Sequence, residues 1–174
     1  MNYVMKSGCL SQDSSGEIIA RIKGTFSGPI KKITLSNTEY HTDIRHLEAP
    51  VGRVSDVRFR EYVLVNQCGT GIMTGKPGYA DGDDPAVTGW PIYRMPRVDH
   101  AQITIGTEEY GLIMHNSQNY SMRDKAGYVL LQIIHRGLTG GWKFHDNHGF
   151  TPEILCGIFA FCRYIEQENE LQIV

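Results

Sequence analysis

The chain of 174 residues carries 17 basic and 19 acidic side chains, a formal net charge of −2. That length fits one compact domain with a sizeable core, and the near balance of charge gives no bulk support for a dedicated nucleic-acid binder. Apolar residues at 41% are too many for a disordered chain and too few for a membrane bundle, while 19 glycines, about 11% against a usual roughly 7%, indicate many turns.

Residues 1–10 show no basic stretch followed by a long apolar run, so no secretory signal is expected. They read instead as a first strand, Tyr3-Val4-Met5, broken at Ser7-Gly8. Cysteines at 9, 68, 156 and 162 form no C-x-x-C pair and no zinc spacing. Together these features point to a reducing, cytoplasmic setting, with Cys156 and Cys162 as buried free thiols.

Strand signals follow at close spacing. Residues 17–23 (EIIARIK) form one strand, and 31–36 with 39–46 form a hairpin around Asn37-Thr38. Residues 61–66 (EYVLVN) are rich in β-branched and aromatic side chains. After them, residues 69–89 hold six glycines, Pro77, Pro85 and the acidic trio Asp81, Asp83 and Asp84, which reads as a surface excursion. Further strands are expected at 101–105, 110–115, 119–123, 128–135 and 142–145. Roughly ten short strands make an antiparallel barrel or sandwich.

The helix signal lies near the C-terminus. Thr151 suits an N-cap, Pro152 the first helical position, and Glu153 the positive end of the helix dipole. From Ile154 to Phe161 no polar face exists, so the helix must be surrounded on all sides. The apolar run 154–165 is about twelve residues and contains Arg163, whereas a membrane span needs about twenty. Residues 166–170 read as a charged exit, and 171–174 as a final short strand.

A β-rich chain with one wholly apolar helix at 152–165 resembles the tubby C-terminal-like superfamily, which includes tubby domains, LURP-one-related proteins and phospholipid scramblases. The resemblance implies a single domain over 1–174. Its fold would be mainly β, a closed antiparallel β-barrel of about 12 strands enclosing the hydrophobic helix. Residues 16–25 (GEIIARIKGT) are similar to the tubby strand of form Y-x-G-K-L-R-S-N. On that match Arg21 and Lys23 stand where tubby proteins carry a Lys-x-Arg pair that binds phosphoinositide headgroups. Here the two cations are swapped and Ala20 replaces a glycine.

Arg21 and Lys23 are two apart in a strand, so both point to one face, outward if Ile18, Ala20 and Ile22 point in. Lys31 and Lys32 join that surface if the strands pair. Such a cluster suits an anionic lipid headgroup or phosphate; an ordinary solvated barrel exterior is the plainer reading. A second surface, for a protein partner, combines the 69–89 excursion with Trp90, Tyr93, Arg94 and Arg97. Its arginines, with Arg58 and Arg60 nearby, are equally suited to pairing with Asp56, Asp99 or Glu61.

Other chemistry is less supported. The acidic trio lacks the spacing of a calcium-binding loop. His145 and His148, with His135, offer imidazoles without a specified third metal ligand. No serine elbow or catalytic cysteine signature is present, so neither catalytic residues nor a cofactor is indicated, and a small-molecule enzyme ranks third. The expected protein is a non-enzymatic, cytoplasmic binding module, peripheral to the membrane if its ligand is a lipid.

Overall fold

The computed structural model describes residues 1–24, 28–48, 56–86 and 96–170. Among them, twelve strands close into one antiparallel barrel in sequential order. These are β1 (Asn2–Lys6), β2 (Cys9–Gln12), β3 (Ile18–Lys23), β4 (Lys31–Leu35), β5 (Thr38–His46) and β6 (Arg60–Asn66). They continue with β7 (Gly71–Tyr79), β8 (Val98–Ile105), β9 (Glu108–Asn116), β10 (Asn119–Arg123), β11 (Val129–His135) and β12 (Trp142–Asp146). The barrel shuts where β12 pairs with β1, through Tyr3↔Phe144 and Val4↔Lys143. Closure gives each of the twelve described strands a neighbour on both sides.

The helix α1 (Pro152–Glu170) runs through this barrel. Leu155, Ile158, Phe161, Cys162 and Ile165 are fully buried, as are the inward-facing Leu10, Ile33, Leu64, Ile103, Leu112 and Phe144 of the wall. Phe161 stands 5.5 Å from the Tyr62 ring on β6, and Phe159 stands 5.0 Å from Trp142 on β12. The Tyr164 hydroxyl shares a 2.7 Å hydrogen bond with Thr42 on β5. Each large apolar side chain so enclosed contributes about 1.5–3 kcal/mol. Gly157 lets the helix pass close to the wall: a Cβ there would lie 2.6 Å from Met73 Cε and 2.8 Å from Leu64 Cδ2. An apolar helix needs an apolar sleeve, and the alternating strands supply it.

Four expectations need correction. The stretch 69–89 is not a surface excursion throughout, since 71–79 form β7 and pair with both β6 and β8. Its glycines mark close packing: a Cβ on Gly75 would sit 3.0 Å from both Ile103 Cδ1 and Phe161 Cδ2. Pro77 is tolerated because pairing with β6 ends at Tyr62↔Gly75. The helix also runs beyond Ile165 to Glu170, held by buried partners of its last turn. Glu168 is ion-paired with Arg60 of β6, and Asn169 both accepts from Val98 N–H and donates to Val98 C=O, each at 2.9 Å.

The other two corrections are local. A register shift between Leu10 and Ser11 places Ile18 opposite Ser11, so Ile18 is exposed while Ala20 points in. The β4–β5 turn is Ser36-Asn37, because Leu35 pairs with Thr38. Residues 171–174 lie outside the described residues.

The topology sorts the connections between two rims. The upper rim carries the β1–β2, β3–β4, β5–β6, β7–β8, β9–β10 and β11–β12 connections and the C-terminal half of α1. The lower rim carries the remaining connections and the helix start.

Candidate anion-binding site

Strand register decides which cations meet. Lys6 pairs with Cys9, Cys9 with Arg21, Arg21 with Thr34, and Thr34 with Glu39. One step along, Lys23 pairs with Lys32 and Lys32 with His41. Directly opposed residues share a face, so Lys6, Arg21, Lys23 and Lys32 all lie on the outer wall. Lys6, Arg21 and Lys23 are exposed. Arg21 donates from Nη1 to Cys9 Sγ at 3.0 Å, and Lys32 Nζ sits 2.5 Å from Glu39 Oε1. Among the described residues neither Lys6 nor Lys23 has an ion pair. Four cations and one carboxylate therefore share a small patch.

Lys31 does not join this face. Neighbouring residues of a strand point to opposite sides, and Lys31 lies on the side of the buried Ile33. Its ammonium donates to Gly28 C=O at 2.6 Å. It lines a cleft of about 240 Å³ at the upper mouth, with Gly8, Gly24, Phe159, Arg163 and Gln167. Burial first, and then the Arg163 charge, push the Lys31 pKa below its ordinary value. Arg163 is ion-paired with Glu166, and its guanidinium carbon stands 5.6 Å from the Trp142 ring centre.

Lys6 is the member of the patch that the sequence reading lacks. Its signal is the Ser7-Gly8 break, which turns β1 back on β2 and sets Lys6 against Cys9. Strand β2 is only four residues, CLSQ, too short for an alternating pattern to announce it.

The second candidate surface is not assembled by the described residues. Trp90, Tyr93 and Arg94 lie outside them. Arg97 is exposed, and its backbone N–H donates to Asp83 Oδ2 at 3.0 Å. Arg58 bonds to Asp56 at 2.5 Å and to Asp84 at 3.2 Å, while Arg60 turns to Glu168. Asp83 and Asp84 therefore tie the segment after β7 to its neighbours. Burial alone would raise the Asp56 pKa, but hydrogen bonds and charge from Arg58, with Tyr79, hold it below the usual carboxylate range.

The remaining polar clusters are dispersed. His145 Nδ1 lies 2.9 Å from Asn2 Oδ1, His148 packs on Phe150, and His135 packs on Trp142. Among the described residues no three potential metal ligands come together. Burial pushes the Cys156 thiol up to about 12 and Cys162 well above its usual value, which leaves both as packing groups. An outer groove of about 470 Å³ opens over Gly111, between His100, Gln102, Ile113 and the Glu109–Lys125 ion pair. No described helix is long and apolar enough to cross a membrane.

The outer basic wall can hold an anion through charge-assisted hydrogen bonds from several directions. Comparison of the chain with protein-family models, with curated proteins and with solved structures returns no match.

Proposed function

We propose that this barrel is a non-enzymatic binding module, tubby-like in architecture, that takes a phosphate-bearing anion on Lys6, Arg21, Lys23 and Lys32. The observation that carries the reading is the direct opposition of Lys23 and Lys32 across β3 and β4. Like charges so placed repel, and an anion between them converts the repulsion into two attractions. Glu39 neutralises only part of the patch. The enclosed helix supports the reading from the other side, since it fills the interior and leaves recognition to the wall and rims.

The expected strength is modest. Four surface contacts at about 0.5–1 kcal/mol each put the affinity for a lone phosphate between roughly 1 and 30 mM. The phosphate can belong to a lipid headgroup or be free in solution. Calorimetric titration with inorganic phosphate tests the site: wild type binds, and the double variant Arg21→Gln/Lys23→Gln weakens binding about tenfold or more. Equal binding by the two proteins removes the assignment.

A further inference from the structure

A glycine inside a strand weakens it, so a strand glycine needs a reason. Gly75 and Gly78 of β7 have no room for a side chain. A Cβ would lie 3.0 Å from Phe161 Cδ2 at the first and 2.8 Å from His100 Cε1 at the second. Gly71 stands at the exposed start of the same strand. Gly111 differs from all three, because it sits in the middle of β9 with nothing within 4 Å of where its Cβ would be. Its backbone is not left-handed either. Neither conformation nor packing therefore requires glycine there. What the missing side chain does is open the outer groove of about 470 Å³ and bare the backbone at its floor.

Register sets the walls of this groove. Gly111 pairs with Gln102 and Ile113 with His100, so these three side chains stand around the bare floor. His100 closes the upper end: its Nδ1 lies 2.8 Å from Asp99 Oδ1, and its ring lies over the backbone of Gly78. The lower end is charged. Glu109 and Asp124 line it with one cation, Lys125, whose Nζ is 3.0 Å from Glu109 Oε2. Asp124 Oδ1 accepts from the Ala126 and Tyr128 N–H groups at 2.9 Å, which fixes that carboxylate. Glu108 stands just beyond, in a second hollow of about 480 Å³ that shares Glu109, Asp124 and Lys125. Lys76 and Arg123 pair with Gln102 and Gly111 on the same outer face but do not line the groove.

We infer that this groove binds a small organic cation, a flat aromatic ring carrying an ammonium group on a short chain. The ring lies on the peptide planes at Gly111, between Gln102 and Ile113 and against the His100 imidazole. The ammonium reaches Glu109 and Asp124. A flat ring suits an open floor, since it gains contact area while freezing few rotatable bonds. The volume falls in the roughly 300–1,000 Å³ range of small-molecule sites. Glu109 and Lys125 are 43% and 73% exposed, so their ion pair contributes little and the ligand's ammonium can take the place of Lys125. The groove lies on β8 to β10, apart from the basic wall of β1, β3 and β4, and does not depend on it.

The test is a backbone-amide NMR titration of the whole chain with three indoles of similar size: tryptamine, a cation at neutral pH; tryptophol, neutral; and indole-3-acetate, an anion. Tryptamine is expected to give saturable shifts at Gln102, Glu109, Gly111 and Ile113. It should bind about threefold to fivefold more tightly than tryptophol, and indole-3-acetate should bind most weakly. Gly111→Val, whose Cβ falls in open space, is expected to keep or raise the wild-type unfolding midpoint. Its methyl groups occupy the place of the ring, so tryptamine binding should weaken about tenfold or more. Absence of shifts around Gly111 with all three probes overturns the site, as does equal tryptamine binding by wild type and Gly111→Val. Groove binding that is equal for the three probes overturns the assignment of a cation. The comparison of probes on the wild-type protein decides the matter even where the valine variant does not fold.

Discussion

Lys23 and Lys32 face each other across two strands, at a cost of about 0.2–1 kcal/mol in the ligand-free protein. Lys23→Gln should therefore raise stability by about that amount in urea unfolding at low salt, while weakening phosphate binding. A purely decorative lysine predicts no loss of binding. Asp56 behaves in the opposite sense, because Arg58 and Tyr79 stabilise its charged form. With its folded pKa below the unfolded value of about 4, its contribution is present above that pH and fades as pH falls through the folded value. Asp56→Asn should lower stability at pH 7 by about 1–3 kcal/mol and flatten the acid limb of the unfolding profile. An unchanged acid limb, measured by denaturant titration across pH 2–7, would falsify this account.

Elements differ in how openly the sequence declares them. Strands β4, β5, β6 and β8 to β12 are legible because alternation, β-branched residues and turn dipeptides coincide. The helix is legible from Pro152 and its unbroken apolar run. Strand β7 is not, because Gly75, Pro77 and Gly78 mimic a loop while serving close packing against Phe161 and His100. The last helical turn is hidden for another reason: its charged and polar residues find partners some hundred residues away. Asn169 there closes both hydrogen bonds of Val98, standing in for a strand neighbour at the start of β8. Asn169→Ala should cost about 1–3 kcal/mol by leaving that backbone pair without its partner. Hydrogen exchange should show the Val98 amide losing protection before those of β9 and β10, and equal protection in both proteins would count against it.

At the scale of the whole molecule, the near-neutral total charge conceals a local group of cations, Lys6, Arg21, Lys23 and Lys32, on the outer wall of β1, β3 and β4. The candidate site was partly legible for the same reason. Arg21 and Lys23 are neighbours on one strand, so period-two alternation joins them without any knowledge of the fold. Lys6 and Lys32 join them only through pairing register, and Lys31 leaves them by the same rule. A closed wall around a filled interior turns such register into fixed strand positions from which these cations project on one outer face.

The most direct measurement of that claim is a backbone-amide NMR titration of the intact protein with inorganic phosphate. Saturable shifts are expected at Lys6, Cys9, Arg21, Lys23 and Lys32, with none at Glu108, Glu109 or Asp124 of the lower rim. Silence at Lys23 and Lys32, or shifts centred on another surface, would contradict the account.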